Sequence, residues 1–226
     1  MCVNFRPSTP ATITQTFGLE IPFDYRVEAW KGYTAPIIRR HEGNRVAEPA
    51  HFGLIPPWYK SALDAKKLTS GTMNARSETV GEKPSFKNAW RKSHFCLVPM
   101  SEFYEPCYES GKAERYRVGL VDGSDFAVAG IWSWWTDPET KQGLASFSML
   151  TLNADTHPVL NRLHKPDDEK RSLYIVPPNE YELWLGATPD EARAMLMLLP
   201  PERFAISPAP KTSPKAPLPS QPDAGD

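Results

Sequence analysis

Cysteine is scarce in this sequence, with three among 226 residues, and the three form no CxxC pair. Cys2, Cys96 and Cys107 are an odd set at irregular spacing, which argues against a disulfide framework or a zinc ribbon. Long hydrophobic runs are also missing. Stretches such as Met195 to Leu199 fall far short of the roughly 20 residues that span a bilayer, and no basic-then-apolar leader opens the sequence, so no membrane is expected as a partner and the expected compartment is the cytoplasm. Neither sign of charge dominates: 26 Lys plus Arg stand against 27 Asp plus Glu, a net charge of -1. A global basic field for nucleic acid is thereby excluded, and any phosphate contact must come from a local patch. His157 and His164 lack HExxH spacing and carboxylate company, so no metal is expected.

What remains is a chain with 40% hydrophobic and 23% charged residues, enough for one core that buries about 70% of its unfolded surface. No Gly/Ser linker and no repeat of 20–50 residues divides it, so residues 1–206 read as one domain. Ser207 to Asp226 carries six prolines in twenty residues and no aromatic, the composition of a disordered tail. Short β-rich runs occur at Phe95–Val98, Arg115–Val121, Phe126–Trp132, Ala145–Leu152 and Ser172–Val176. The Asp122-Gly123 pair predicts a hairpin turn joining two of them. Helical patterns fall at Ser85–Lys92, Asp155–Leu163 and Pro189–Leu199, the last with Thr188 as cap and Pro189 at the first helical position. The fold class is α+β: one domain with an antiparallel, barrel-like β core flanked by helices.

Five segments carry chemistry. If Met1 is removed, Cys2 places a thiol and an α-amine on adjacent carbons, with ordinary pKa values near 8.5 and about 7.7–8.0. An aldehyde meeting that pair forms an imine, and sulfur then closes a thiazolidine. Taken alone, Cys2 is more commonly an ordinary second residue at a frayed start. Thr72 to Thr79, TMNARSET, packs an amide, a guanidinium and a carboxylate into a polar loop, where Arg76 suits a phosphate and Asn74 a hydroxyl or a reacting nitrogen. The same loop also reads as a solvated turn with a cap at Ser77 or Thr79. Glu105 follows Phe103 and Tyr104, so desolvation suits it to proton transfer, unless its aromatic neighbours point the other way. His157 and His164 stand seven apart, near one another on a helix face if that stretch is helical, and capping is the competing role. Trp58 ends the run FGLIPPW at a rim where it can stack on a base; packing is the commoner use of tryptophan.

Taken in order, Met-Cys at the start, FGLIPPW, MNARSET, CLVPMSEFYEP and LNADTHPVLNRLHKP resemble the abasic-site processing family, also called the SOS-response-associated peptidase family. The resemblance runs from residue 2 to about 176. It implies a single α+β domain that finds abasic sites in single-stranded DNA and crosslinks itself to them in the DNA damage response, as a monomer without metal or organic cofactor. Within it Cys2 is similar to the nucleophile, Asn74 to the orienting amide, Glu105 to the proton-transfer carboxylate and His164 to the proton-donating histidine. Arg76, Trp58 and Thr151 match DNA-contacting positions.

The sequence departs from the family where phosphate would be gripped. Val3-Asn4 replaces the family's Gly-Arg, and Lys165-Pro166-Asp167 stands where Arg-Met-Pro is general. Added acids there weaken electrostatic binding. Two other classes therefore stay open: a noncovalent single-stranded DNA binder whose chemistry has decayed, and a Cys2-dependent autoprotease or peptidase.

Overall fold

The computed structural model describes residues 2–61 and 71–211. The fate of Met1 and the expected tail from 212 onward lie outside the described residues. In chain order the strands are β1 (Asn4–Pro7), β2 (Ala29–Trp30), β3 (Thr34–His41), β4 (Asn44–Phe52), β5 (Asn74–Arg76) and β6 (Phe95–Cys107). They continue with β7 (Glu114–Leu120), β8 (Phe126–Thr136), β9 (Gly143–Asn153), β10 (Arg171–Leu173), β11 (Ile175–Val176) and β12 (Phe204–Pro208). Four helices are described: α1 (Pro10–Phe17), α2 (Pro84–Arg91), α3 (Tyr181–Gly186) and α4 (Pro189–Met195).

Five strands close into a barrel in the order β3, β4, β9, β8, β6 and back to β3. The expected antiparallel pairing holds for four of its seams, and the β4–β9 seam is parallel, with Ala50 opposite Ala145. Ring closure requires this, because strands cannot alternate direction all the way round an odd-numbered ring. The β3–β4 hairpin turns on Glu42 (φ 50) and Gly43 (φ 82), the two positive-φ residues of a tight turn. β1 and β7 extend the sheet from β6, β2 adds to β1, and β12 adds to β7.

Side chains alternate along the ring strands between two apolar clusters. Cys96, Val98, Met100, Phe147 and Met149 face the barrel interior with Phe5 and Phe52, whose rings meet edge to face at 5.2 Å. Phe95, Leu97, Ala129, Ile131 and Leu150 face outward and are covered by Ile13, Trp90 and Trp184 from the helices. Gly130 is required at a crowded point of the wall, since a Cβ there would lie 2.8 Å from the Cys96 sulfur. Trp184 is fully buried and its indole N–H donates to the Cys96 carbonyl at 2.9 Å. Removing about 150–250 Å² of such a ring from water is worth roughly 4–6 kcal/mol before entropy.

Four details correct the reading from sequence. The Asp122-Gly123 turn does not make a hairpin, because β7 and β8 do not pair with each other. Both lie antiparallel along β6, β7 opposite Phe103–Cys107 and β8 opposite Phe95–Met100, so Val121 to Asp125 is a loop between two stretches of one edge. The stretch Asp155–Leu163 is not an α-helix but a chain of turns ending in a 3₁₀ turn at Leu160–Arg162. α4 has the expected Thr188 cap, completed by Glu191 as a capping box, but stops at Met195. Ordered chain runs past the expected boundary at 206: Ser207 and Pro208 belong to β12, and the Ala209 N–H donates to the Arg115 carbonyl at 2.8 Å. β12 pairs only with β7, and an edge strand tolerates proline because half its N–H groups need no ladder partner. Among the described residues no helix is long and apolar enough to cross a membrane.

Candidate active site

Cys2 lies just before β1, fully buried in the barrel-interior cluster. Its S–H donates to the Asn4 carbonyl at 3.3 Å. Burial pushes the thiol far above its ordinary range, and the charge of Glu105 adds to the rise. Asn74 opens β5, which pairs in parallel with β9, so Asn74 lies opposite Met149 and Arg76 opposite Thr151. That register turns the Asn74 amide inward, and its Nδ2 donates to the Cys2 carbonyl at 2.7 Å. The Asn74 Oδ1 is buried and meets no hydrogen-bond donor among the described residues.

Glu105 sits near the end of β6, 3% exposed, on the inward side of the strand. His164 reaches it from the segment after the 3₁₀ turn. Leu163 bridges to Cys107, the His164 N–H donates to the Pro106 carbonyl at 2.6 Å, and His164 Nε2–H donates to Glu105 Oε2 at 3.0 Å. His164 adopts φ 68, a backbone conformation unfavourable for a residue with a Cβ and worth of order 1 kcal/mol of strain. The surrounding bonds hold it there. A cavity of about 270 Å³ opens beside the ring, lined by Arg76, His164, Asp168, Glu169 and Arg171. A second, of about 290 Å³, lies against Val3, Asn4, Tyr104 and Glu105.

The structure therefore forms two bonded pairs, Asn74 with Cys2 and His164 with Glu105, with the Glu105 charge acting on the Cys2 thiol, and it treats the three expected DNA contacts differently. Arg76 is half exposed at the cavity rim, but its guanidinium is held by Glu169 at 2.7 Å. Thr151 is buried, its hydroxyl donating to the Ala75 carbonyl at 3.4 Å and accepting from Arg171 Nε at 3.1 Å, which removes it from the surface where a strand would lie. Trp58 is half exposed beyond Pro57, and among the described residues no hydrogen bond or ring contact links it to the site. His157 caps the turns instead of sharing a face with His164: its Nδ1 accepts from the N–H groups of Val159 and Leu160, while Nε2–H donates to the Leu199 carbonyl at 3.0 Å.

Sequence reasoning missed Arg171. It is 3% exposed, and its guanidinium bonds the Thr151 carbonyl at 2.7 Å, Glu78 at 2.8 Å and Glu169 at 2.6 Å. Its hydrogen bond holds the Glu169 carboxyl below the usual range. At Glu78 partial burial pulls the carboxyl up, and the Arg171 bond outweighs it. Arg171 opens β10 just before the apolar residues that mark the strand, and a charged residue at that border looks like loop. Among the described residues no group of three His, Cys, Asp or Glu side chains is placed to hold a metal ion.

The described residues form an α+β barrel, and solved structures share its fold. A protein from Bordetella bronchiseptica superposes with a TM-score of 0.85 at 30% identity, covering 92% of this chain and 99% of that one. A protein from Bacteroides thetaiotaomicron gives 0.80 at 23% identity, covering 96% and 97%, a likeness of fold. The chain belongs to the SOS response associated peptidase (SRAP) family, which residues 1–212 match. Among its relatives, the abasic site processing protein YoqW of Bacillus subtilis (strain 168) is 29% identical over 164 residues, 71% of this chain and 67% of the relative. The abasic site processing protein HMCES of Rattus norvegicus is 30% identical over 137 residues, 49% of this chain and 38% of that protein.

Proposed function

We propose that this protein processes abasic sites in DNA, and that it does so by covalent capture of a single-stranded abasic site through Cys2 once Met1 has been removed. The observation that carries the reading is the pair of bonds Asn74–Cys2 and His164–Glu105, with the Glu105 charge felt at the Cys2 thiol, in a chain whose relatives are named for abasic-site processing. An abasic deoxyribose is mostly a closed hemiacetal. Proton transfer by His164, backed by Glu105, helps open it and frees the C1′ aldehyde. The freed α-amine of Cys2 attacks C1′, and loss of one water leaves an imine. The sulfur then adds to the imine carbon while its proton passes to the nitrogen, closing a thiazolidine with no net proton consumed. A buried thiol holds its proton strongly, so Glu105 beside it is well placed to carry that proton across. Asn74 fixes the Cys2 carbonyl, and with it the direction of the attacking amine. On this reading the protein acts as a monomer in the cytoplasm, on nucleoid DNA.

The test is an oligonucleotide with one abasic site, read on a denaturing gel and by intact mass. A stable adduct, equal in mass to protein plus strand less one water and absent with Cys2→Ala, is the expected result; capture that survives the substitution would falsify the role of Cys2. A noncovalent reading draws on one observation, the neutralisation of Arg76 by Glu169. It expects equal binding of intact and abasic strands and no gain in mass.

A further inference from the structure

On the outer side of the β1–β6–β7 sheet lies a groove of about 1070 Å³ with a charge unlike that of the whole chain. Arg6, Arg26, Arg115, Arg117 and Lys211 line it against two carboxylates, Glu28 and Glu102, an excess of three positive charges in a chain of net charge -1. Both acids are engaged within the groove: Glu28 pairs with Arg115 at 2.7 Å, while Glu102 pairs with Arg6 at 3.4 Å and, at 4.0 Å, with Arg117, and bonds the Tyr104 hydroxyl. Among the described residues no carboxylate pairs with Arg26 or Lys211. Aromatic rings alternate with the cations. The Lys211 ammonium sits 4.0 Å from the Trp30 ring centre, the Arg26 guanidinium 4.9 Å from that of Tyr33 and the Arg115 guanidinium 3.4 Å from that of Tyr104.

The groove connects to the site. Trp30, Tyr104 and Arg115 line both the groove and the smaller cavity that also touches Glu105. Tyr104 and Glu105 are neighbours on β6 facing opposite sides, and the smaller cavity, bounded on its exposed flank by Val3 and Glu114, leads from beside Glu105 to the groove. From this continuity, and resting on the reading of the site given above, we propose that the outer groove is a second binding track, carrying the single-stranded DNA that flanks the abasic site. Phosphates meet Arg26 and Lys211, and bases stack on Tyr33 and the half-buried Trp30, the Tyr104 ring being buried under Arg115. An acidic peptide would satisfy the cations but would leave the rings without a flat partner, so nucleic acid fits better.

The experiment measures fluorescence anisotropy of unmodified thymidine strands of about 6 and about 20 nucleotides across a salt series. The intact protein is expected to favour the long strand about tenfold or more at low salt. Arg26→Glu/Arg117→Glu/Lys211→Glu should abolish that advantage and lower the salt slope by about 2, at roughly 0.7 per phosphate contact. Tyr33→Ala, which changes no charge, should weaken long-strand binding about fivefold, in line with about 1 kcal/mol per stacked base. Lys87→Glu/Arg91→Glu/Lys92→Glu, on α2 and its C-cap, changes net charge equally. An equal loss there overturns the proposal, as does a length advantage that survives the groove triple variant or is missing from the intact protein. Adduct formation on a short abasic strand, assayed in parallel, reports on the site itself: adduct without length dependence overturns the groove alone, and neither adduct nor binding overturns both.

Discussion

Cys2 and Cys96 are both fully buried in the barrel interior, and in both burial pushes the thiol well above its ordinary range. Their neighbours differ. Cys96 packs against Gly130 in the middle of the wall, where among the described residues no side chain hydrogen-bonds the sulfur and the nearest influence is the more distant charge of Arg39. Cys2 stands at the open end, its S–H on the Asn4 carbonyl, its own carbonyl on Asn74 and its thiol within the field of Glu105. Burial protects a sulfur from casual oxidation in both places. Only at the chain's start does it come with groups able to move a proton, and that difference separates a packing thiol from a candidate nucleophile.

The sharpest way to break the comparison is to remove each sulfur. Cys2→Ala should abolish adduct formation, a loss of at least about 10³-fold, while Cys96→Ala should leave it within about twofold. Both should cost about 1–2 kcal/mol of stability, read by urea denaturation. Next in size, His164→Ala should slow adduct formation by about 10²-fold, the ordinary reach of a positioned acid, measured as a single-turnover rate. His164→Gly should be equally slow yet more stable than His164→Ala by about 1 kcal/mol, because glycine accepts φ 68 without strain. Equal stabilities would remove backbone strain from the account.

Alkaline pH probes the two sulfurs together. Both thiols sit above their unfolded value of 9.0, so at higher pH the unfolded chain binds fewer protons than the native one. Their contribution is intact below about pH 9 and is lost as pH rises towards the native values. The Cys2→Ala/Cys96→Ala protein should therefore lose stability less steeply between about pH 8.5 and 10. Tyr25 and Tyr181, whose hydroxyls burial pushes up to about 12, keep part of the slope. The smallest effect is expected at Glu169. Glu169→Gln frees Arg76 from a half-exposed ion pair worth at most about 1 kcal/mol, so single-stranded DNA should bind about threefold tighter at low salt.

What could be read from the sequence follows from how local each signal is. The strands around Phe95, Phe126 and Ala145 were legible because apolar residues crowd runs that the barrel buries on both faces, and Thr188-Pro189 marked α4 through its own cap. Asn74 and Glu105 stood out as polar groups in motif segments. The parallel β4–β9 seam was not legible, since only the closure of an odd ring demands it. The turn chain at 155–163 hides behind helical spacing until the His157 ring is seen to take the N–H groups of Val159 and Leu160 with one nitrogen and to reach the Leu199 carbonyl with the other. Arg171 gave no local sign because two of its three partners, Glu78 and Thr151, are 93 and 20 residues away, and the third, Glu169, reads alone as an ordinary surface acid. Arg76 looked like a free phosphate ligand for the same reason: Glu169 becomes its neighbour only when the chain returns after His164.

The way β7 and β8 share one edge of β6 has a practical use. Both flanks of the intervening loop are clamped in register by the same strand, so a reporter peptide spliced at Gly123, whose φ of 69 already marks a bend, ought to hang outside the barrel without shifting any pairing. A fluorophore carried there would give a fixed vantage from which the approach of a labelled strand can be timed.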